Sequence, residues 1–132
     1  MLKAESAGGL RIAAAVAVAF GLLTIREGGT VLFGSDAARL AAGRYVPFVL
    51  WFNFLAGFVY VVAGAGLWAQ RRWAVWLALS VVIGTAAVFA AFGIHILLGG
   101  AFELRTVAAM TLRTAVWAAI FGYAARRMAT EA

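Results

Sequence analysis

The stretch WAVWLALSVVIGTAAVFAAFGIHILL, residues 73–98, contains no Asp, Glu, Lys or Arg. A helix rising 1.5 Å per residue over that length crosses the roughly 30 Å hydrocarbon core of a bilayer. Outward from it lie three more apolar runs, at residues 10–26, 45–69 and 104–125, each near the roughly 20 residues that spanning takes. Composition agrees. The chain is 66% hydrophobic and 12% charged, more apolar surface than 132 residues can bury in a soluble core, so the excess must face lipid. The expected fold is an all-α, integral membrane four-helix antiparallel bundle. The links Gln70-Arg71-Arg72 and Gly99-Gly100-Ala101-Phe102-Glu103 are short enough to make their flanking helices antiparallel neighbours.

The first run is short enough to resemble a secretory leader. No small-residue cleavage site follows Leu23, where the chain reads Thr24-Ile25-Arg26-Glu27, so a retained helix is expected. That helix ends at Arg26 or near Gly28, and either end places Glu27 close to membrane depth. Residues 27–44 then form an outer loop. Gly28-Gly29 reads as its punctuation, and Asp36 ahead of Ala37-Ala38-Arg39-Leu40 as the start of a short interfacial helix. Pro47 falls in the first turn of the second span, where its missing donor is tolerated.

Lys and Arg set the orientation. Lys3, Arg11, Arg71, Arg72, Arg126 and Arg127 lie on one side, and Arg26, Arg39, Arg44 and Arg105 on the other. Six against four places both termini in the cytoplasm, and the localisation expected is a bacterial cytoplasmic (inner) membrane. Trp68, Trp73, Trp76 and Tyr123 near the inner boundary and Tyr45 near the outer one suit an aromatic belt. The net charge of +6 forms no basic stripe with an aromatic platform, so nucleic acid is not an expected partner.

Helices in lipid gain nothing from hiding apolar groups from one another, so contact faces show as small or weakly polar stripes. Ala14, Ala17, Gly21 and Thr24 make one on the first helix, and Asn53, Gly57, Tyr60 and Gly64 one on the second. Ser80, Gly84, Ala87, Ala91 and His95 make one on the third. The fourth helix has two: Thr111, Ala115, Ala118 and Gly122, and a separate face of Thr106, Met110, Arg113 and Trp117. Because a charge avoids lipid, the Arg113 face is expected inside the bundle, leaving the small face for a second subunit or a larger membrane complex.

Arg113 sits nine residues into its helix, roughly 13 Å deep, too far for an ordinary anchor. Asn53 lies at similar depth, and His95, Glu103, Arg105, Glu27 and Arg26 sit above it. One reading is an outward-opening ligand pocket for an anion or a quinone headgroup, with Arg113 as cation and Asn53 as hydrogen-bond donor. The other is a structural lock, with Arg113 paired to Glu27 or Glu103. Each remaining residue also has a packing explanation: a satisfied interfacial His95, interhelical glue for Asn53, a polar helix start for Glu103-Leu104-Arg105-Thr106. The absence of cysteine, and one histidine, leave no closed metal site, and no nucleophile sits beside a base, so an enzyme ranks last.

Several features resemble the DoxX-like family of small four-helix bacterial membrane proteins. They are Arg11 opening the first helix with Gly21 near its end, Ala63-Gly64-Ala65-Gly66-Leu67-Trp68 running into Arg71-Arg72-Trp73-Ala74, and His95 followed by Phe102-Glu103-Leu104. Asn53 stands where that family leads one to expect an acidic residue. The resemblance implies a four-helix protein associated, in some members, with quinone-linked sulfur oxidation or other redox partners. Three functions follow in order: an accessory protein with a ligand pocket, a transporter or channel, and a structural subunit.

Overall fold

The computed structural model describes residues 4–130 and the side chains of 8–128, so Lys3 lies outside the described residues. The described residues form five helices: α1 (Ala4–Phe33), α2 (Asp36–Ala42), α3 (Pro47–Trp68), α4 (Arg72–Leu97) and α5 (Leu104–Thr130). Four of them, all but α2, are long and apolar enough to cross a membrane. They pack in the cyclic order α1, α3, α4, α5, with α1 laid most extensively on α3.

Glycine explains that intimacy. A Cβ at Gly21 would stand 2.7 Å from the Gly57 carbonyl oxygen, one at Gly57 would stand 3.1 Å from the Gly21 carbonyl oxygen, and one at Gly64 would stand 2.9 Å from the Ala14 carbonyl oxygen. Backbones approach so closely only where side chains are missing. The same seam corrects the expected end of the first helix. Gly28 and Gly29 do not turn the chain; Gly28 is buried, with a Cβ there only 3.0 Å from that of Phe54, and α1 runs on to Phe33. A pair of glycines signals a turn in isolation, but packing against α3 overrides that local preference.

Both tight connections are built by helix C-terminal geometry. After α4, the Gly100 N–H donates to the His95 carbonyl at 2.9 Å and that of Gly99 to Ile96 at 3.0 Å, with Gly99 at φ 85°. After α3, Arg71 donates to Gly66 and Gln70 to Leu67, and Gln70 takes φ 58° despite its side chain. These are paired six-to-one and five-to-two bonds that satisfy the last carbonyls of each helix.

The α4 face differs from the expected one. Ala74, Ala78, Val81, Thr85 and Phe92 are buried, whereas Ser80, Ala87 and Ala91 are exposed and Gly84 and His95 are half-buried. Shifting by one residue rotates a helix face by about 100°. Ser80 needs no neighbour because its hydroxyl donates to the Trp76 carbonyl at 3.1 Å, and small size alone did not select the contact side. On α5 the inward face carries Met110, Arg113, Trp117, Ile120 and Ala124, while Thr111, Ala115, Ala118 and Gly122 are exposed.

The glycine seam is testable. Gly21→Ala should lower the stability of the detergent-solubilised protein by about 1–3 kcal/mol, as overpacking does elsewhere, because the obstruction is backbone. Gly122→Ala, whose new methyl would meet no atom of another helix within 4 Å, should not lower the thermal midpoint.

Candidate functional site

Arg113 projects from α5 into the space between α1 and α3 and is 7% exposed. Its Nη1 donates to Thr24 Oγ1 at 2.9 Å and to the Tyr60 hydroxyl at 3.4 Å, so one side chain ties three helices. The guanidinium carbon lies 5.0 Å from the centre of the Phe20 ring, a cation–π contact. Tyr60 is held in turn by Phe20, edge to face at 5.7 Å, and by Trp117 at 4.8 Å. Phe20, Thr24 and Glu27 fall at i, i+4 and i+7 on α1, which puts the ring, the hydroxyl and the carboxylate on one side of that helix.

Among the described residues no carboxylate pairs with Arg113. The ion pair found among the described residues is Arg39 with Asp36, 3.0 Å apart on α2, so neither Glu27 nor Glu103 serves as the internal counter-charge considered from sequence. Arg113 Nε is buried without a protein partner, and so is Asn53 Oδ1. Placing an arginine at membrane depth costs about 2.5–3.5 kcal/mol on insertion scales. Two interhelical hydrogen bonds at about 0.6 kcal/mol each and a ring contact of about 0.5–1 kcal/mol offset only part of it.

Above Arg113 opens a cavity of about 670 Å³, walled by α1, α2, α3, α5 and the chain joining α2 to α3. Arg26, Glu27, Asn53, Glu103, Arg105 and Arg113 all line it, together with Thr24, Tyr45 and Thr106. Three cations thus face two carboxylates around one space. His95 is not brought there, because α4 contributes no lining residue. Its Nε2 lies 2.9 Å from the Ala101 carbonyl, which can only accept, so the ring carries its proton on that nitrogen. Phe48 and Phe92 flank it. His95 therefore pins the α4–α5 link.

Glu103 and Arg105 have a defined local task. Glu103 Oε1 accepts the Arg44 N–H at 2.9 Å, and Arg105 Nη2 donates to the Ala41 and Ala42 carbonyls at 3.1 and 3.0 Å. A cation on the last carbonyls of α2 is favourably placed against the helix dipole. At its other end α2 is capped by Ser35, whose hydroxyl accepts the Ala38 N–H, and Arg39 reaches back to the Leu32 carbonyl at 3.3 Å. The short helix is thereby fastened across the cavity mouth, contributing Ala38, Ala41 and Ala42 to its wall.

Thr24 and Tyr60 were recognised in sequence as contact-stripe residues but not as partners of Arg113; the available signal was a hydroxyl on each of two inward stripes at matching depth. Among the described residues no group of three His, Asp or Glu converges on a metal-sized site. Glu103→Ala should speed amide hydrogen exchange at Arg44 and through α2 in mass-spectrometric peptide mapping, and Glu27→Ala should not, since Glu27 makes no comparable bond. The chain matches no family model, no curated protein and no solved structure, so the cavity's own geometry carries the functional reading.

Proposed function

We propose that this protein is an accessory component of a bacterial inner-membrane redox system whose cavity binds a small ligand through an anionic or carbonyl head, such as an anion or a quinone headgroup. In this reading the bundle is antiparallel, both termini are cytoplasmic and the cavity opens outward, consistent with the six-to-four distribution of Lys and Arg. The DoxX-like resemblance makes a quinone the natural organic ligand to test. The observation that carries the proposal is the Arg113 guanidinium, buried, without a carboxylate partner and lining a cavity. A ligand acceptor group supplies what the protein does not: a hydrogen-bond partner with negative charge or a strong dipole for the unpaired N–H groups of the fork.

Arg113 sets charge preference, Asn53 contributes an amide at the same wall, and Glu27 limits the negative charge the site accepts. Binding is favoured over conduction because Tyr60 and Trp117 are fully buried directly beneath the guanidinium, filling the path through the bundle. A structural-subunit role draws separate support from the exposed Thr111, Ala115, Ala118 and Gly122 face, on which a second subunit would pack.

The test uses the full chain in lipid nanodiscs with benzoate as an anion and a short-tailed quinone as a neutral carbonyl ligand, followed by calorimetry. Arg113→Ala should weaken whichever probe binds by about 10- to 100-fold, the worth of a charge-assisted hydrogen bond. Arg113→Gln, which keeps amide N–H donors without the charge, separates the classes: it should spare the quinone more than the benzoate. Unchanged binding in both variants, with helicity intact, would exclude the cavity as the site.

A further inference from the structure

At the opposite end of the bundle a second hollow, of about 250 Å³, lies between the start of α4 and the end of α5. Its walls are apolar, with Val75, Trp76 and Leu79 on one side and Phe121 and Met128 on the other, and Arg72 stands at its rim. This groove is on the perimeter of two helices long and apolar enough to span, so acyl chains are its natural solvent. We propose that it is a specific site for an anionic phospholipid, with an acyl chain along Val75, Leu79 and Phe121 and the phosphate against Arg72.

Charge selects this occupant over a neutral lipid. Arg11, Arg71, Arg72 and Arg126 gather at this end, and Arg71 and Arg72 are exposed and in no ion pair among the described residues. The described acidic side chains, Glu27, Asp36 and Glu103, all lie at the other end, around the cavity and α2. By sequence this end carries Glu5 and Glu131 against six Lys and Arg, so a phosphate here meets an excess of cations, and an arginine fork matches its oxygens in two-point geometry. Trp76, which lines the groove, is 71% exposed, and Trp68 and Trp73 are exposed at the same end of the bundle, as rings are where chain and headgroup meet. Basic hollows between spanning helices on the positively charged side are the general form of anionic-lipid sites.

The experiment reconstitutes the full chain in phosphatidylcholine vesicles and titrates dibrominated phosphatidylglycerol, whose bromines quench tryptophan fluorescence on contact. Wild type should be quenched at low phosphatidylglycerol fraction, whereas dibrominated phosphatidylcholine should quench only in proportion to its share of the bilayer. Arg72→Ala should raise the half-quenching fraction about fivefold, the effect of one arginine at an anionic surface. Leu79→Phe, which fills the groove and keeps the charge, should do likewise, and Arg11→Ala should have little effect. Equal quenching by the two lipids, or equal losses in Arg11→Ala and Arg72→Ala, would reduce the effect to the general field of that end and overturn the site. A dimer in the vesicles that Leu79→Phe disperses would assign the groove to a second copy of the chain and overturn it equally.

Discussion

A guanidinium held between helices without a carboxylate is the constraint around which this bundle is arranged. Arg113 must avoid lipid, which fixes the rotation of α5 and leaves Thr111, Ala115, Ala118 and Gly122 outward. It must also find acceptors, which it does on α1 through Thr24 and on α3 through Tyr60. The acceptors are neutral, so the positive charge is oriented but not cancelled. A salt bridge would have made the same residue an internal fastener.

The scaffold that permits this is the α1–α3 seam. Gly21, Gly57 and Gly64 let the two backbones meet, and their approach sets Thr24 and Tyr60 close enough to share one Nη1. Towards the cavity the helices are spanned by α2, fastened by Glu103 to the Arg44 amide and by Arg105 to two α2 carbonyls. Two of the cavity's charged residues thus hold its wall while also shaping its field. Arg26 and Glu27, on the last turns of α1, line the same cavity without such a bond. The molecule is polar at one end around a carboxylate-bearing cavity and cationic at the other, where the apolar groove begins at Arg72.

Sequence exposed the spans and the inward face of α5 because a single strong rule governs each: length of apolar run, and the cost of a charge in lipid. Residue counting places Arg113 and Asn53 deep and Glu103, Arg105, Glu27 and Arg26 above them, and all six line one space. Where several weak rules compete, the sequence misleads. Gly28-Gly29 is equally a turn and a close-contact pair until Phe54 is placed opposite it. Ser80, Ala87 and Ala91 form a small-residue stripe, yet Val81, Thr85 and Phe92 face inward because neighbouring side chains, rather than a neighbouring backbone, fill that side. His95 shares the pocket's depth but sits on the helix that does not reach it. Depth is legible from residue counting, whereas azimuth around a uniformly apolar helix is not.

In the proposed reading the charge of Arg113 is answered from outside the protein, by a bound ligand. This is tested most directly by native mass spectrometry of the chain gently extracted from its own membrane, comparing wild type with Arg113→Ala. A small molecule bearing an anionic or carbonyl group should be retained by wild type and absent from the variant. Identical, ligand-free spectra for both proteins, with the fold intact, would contradict it and leave Arg113 as a fastener of three helices.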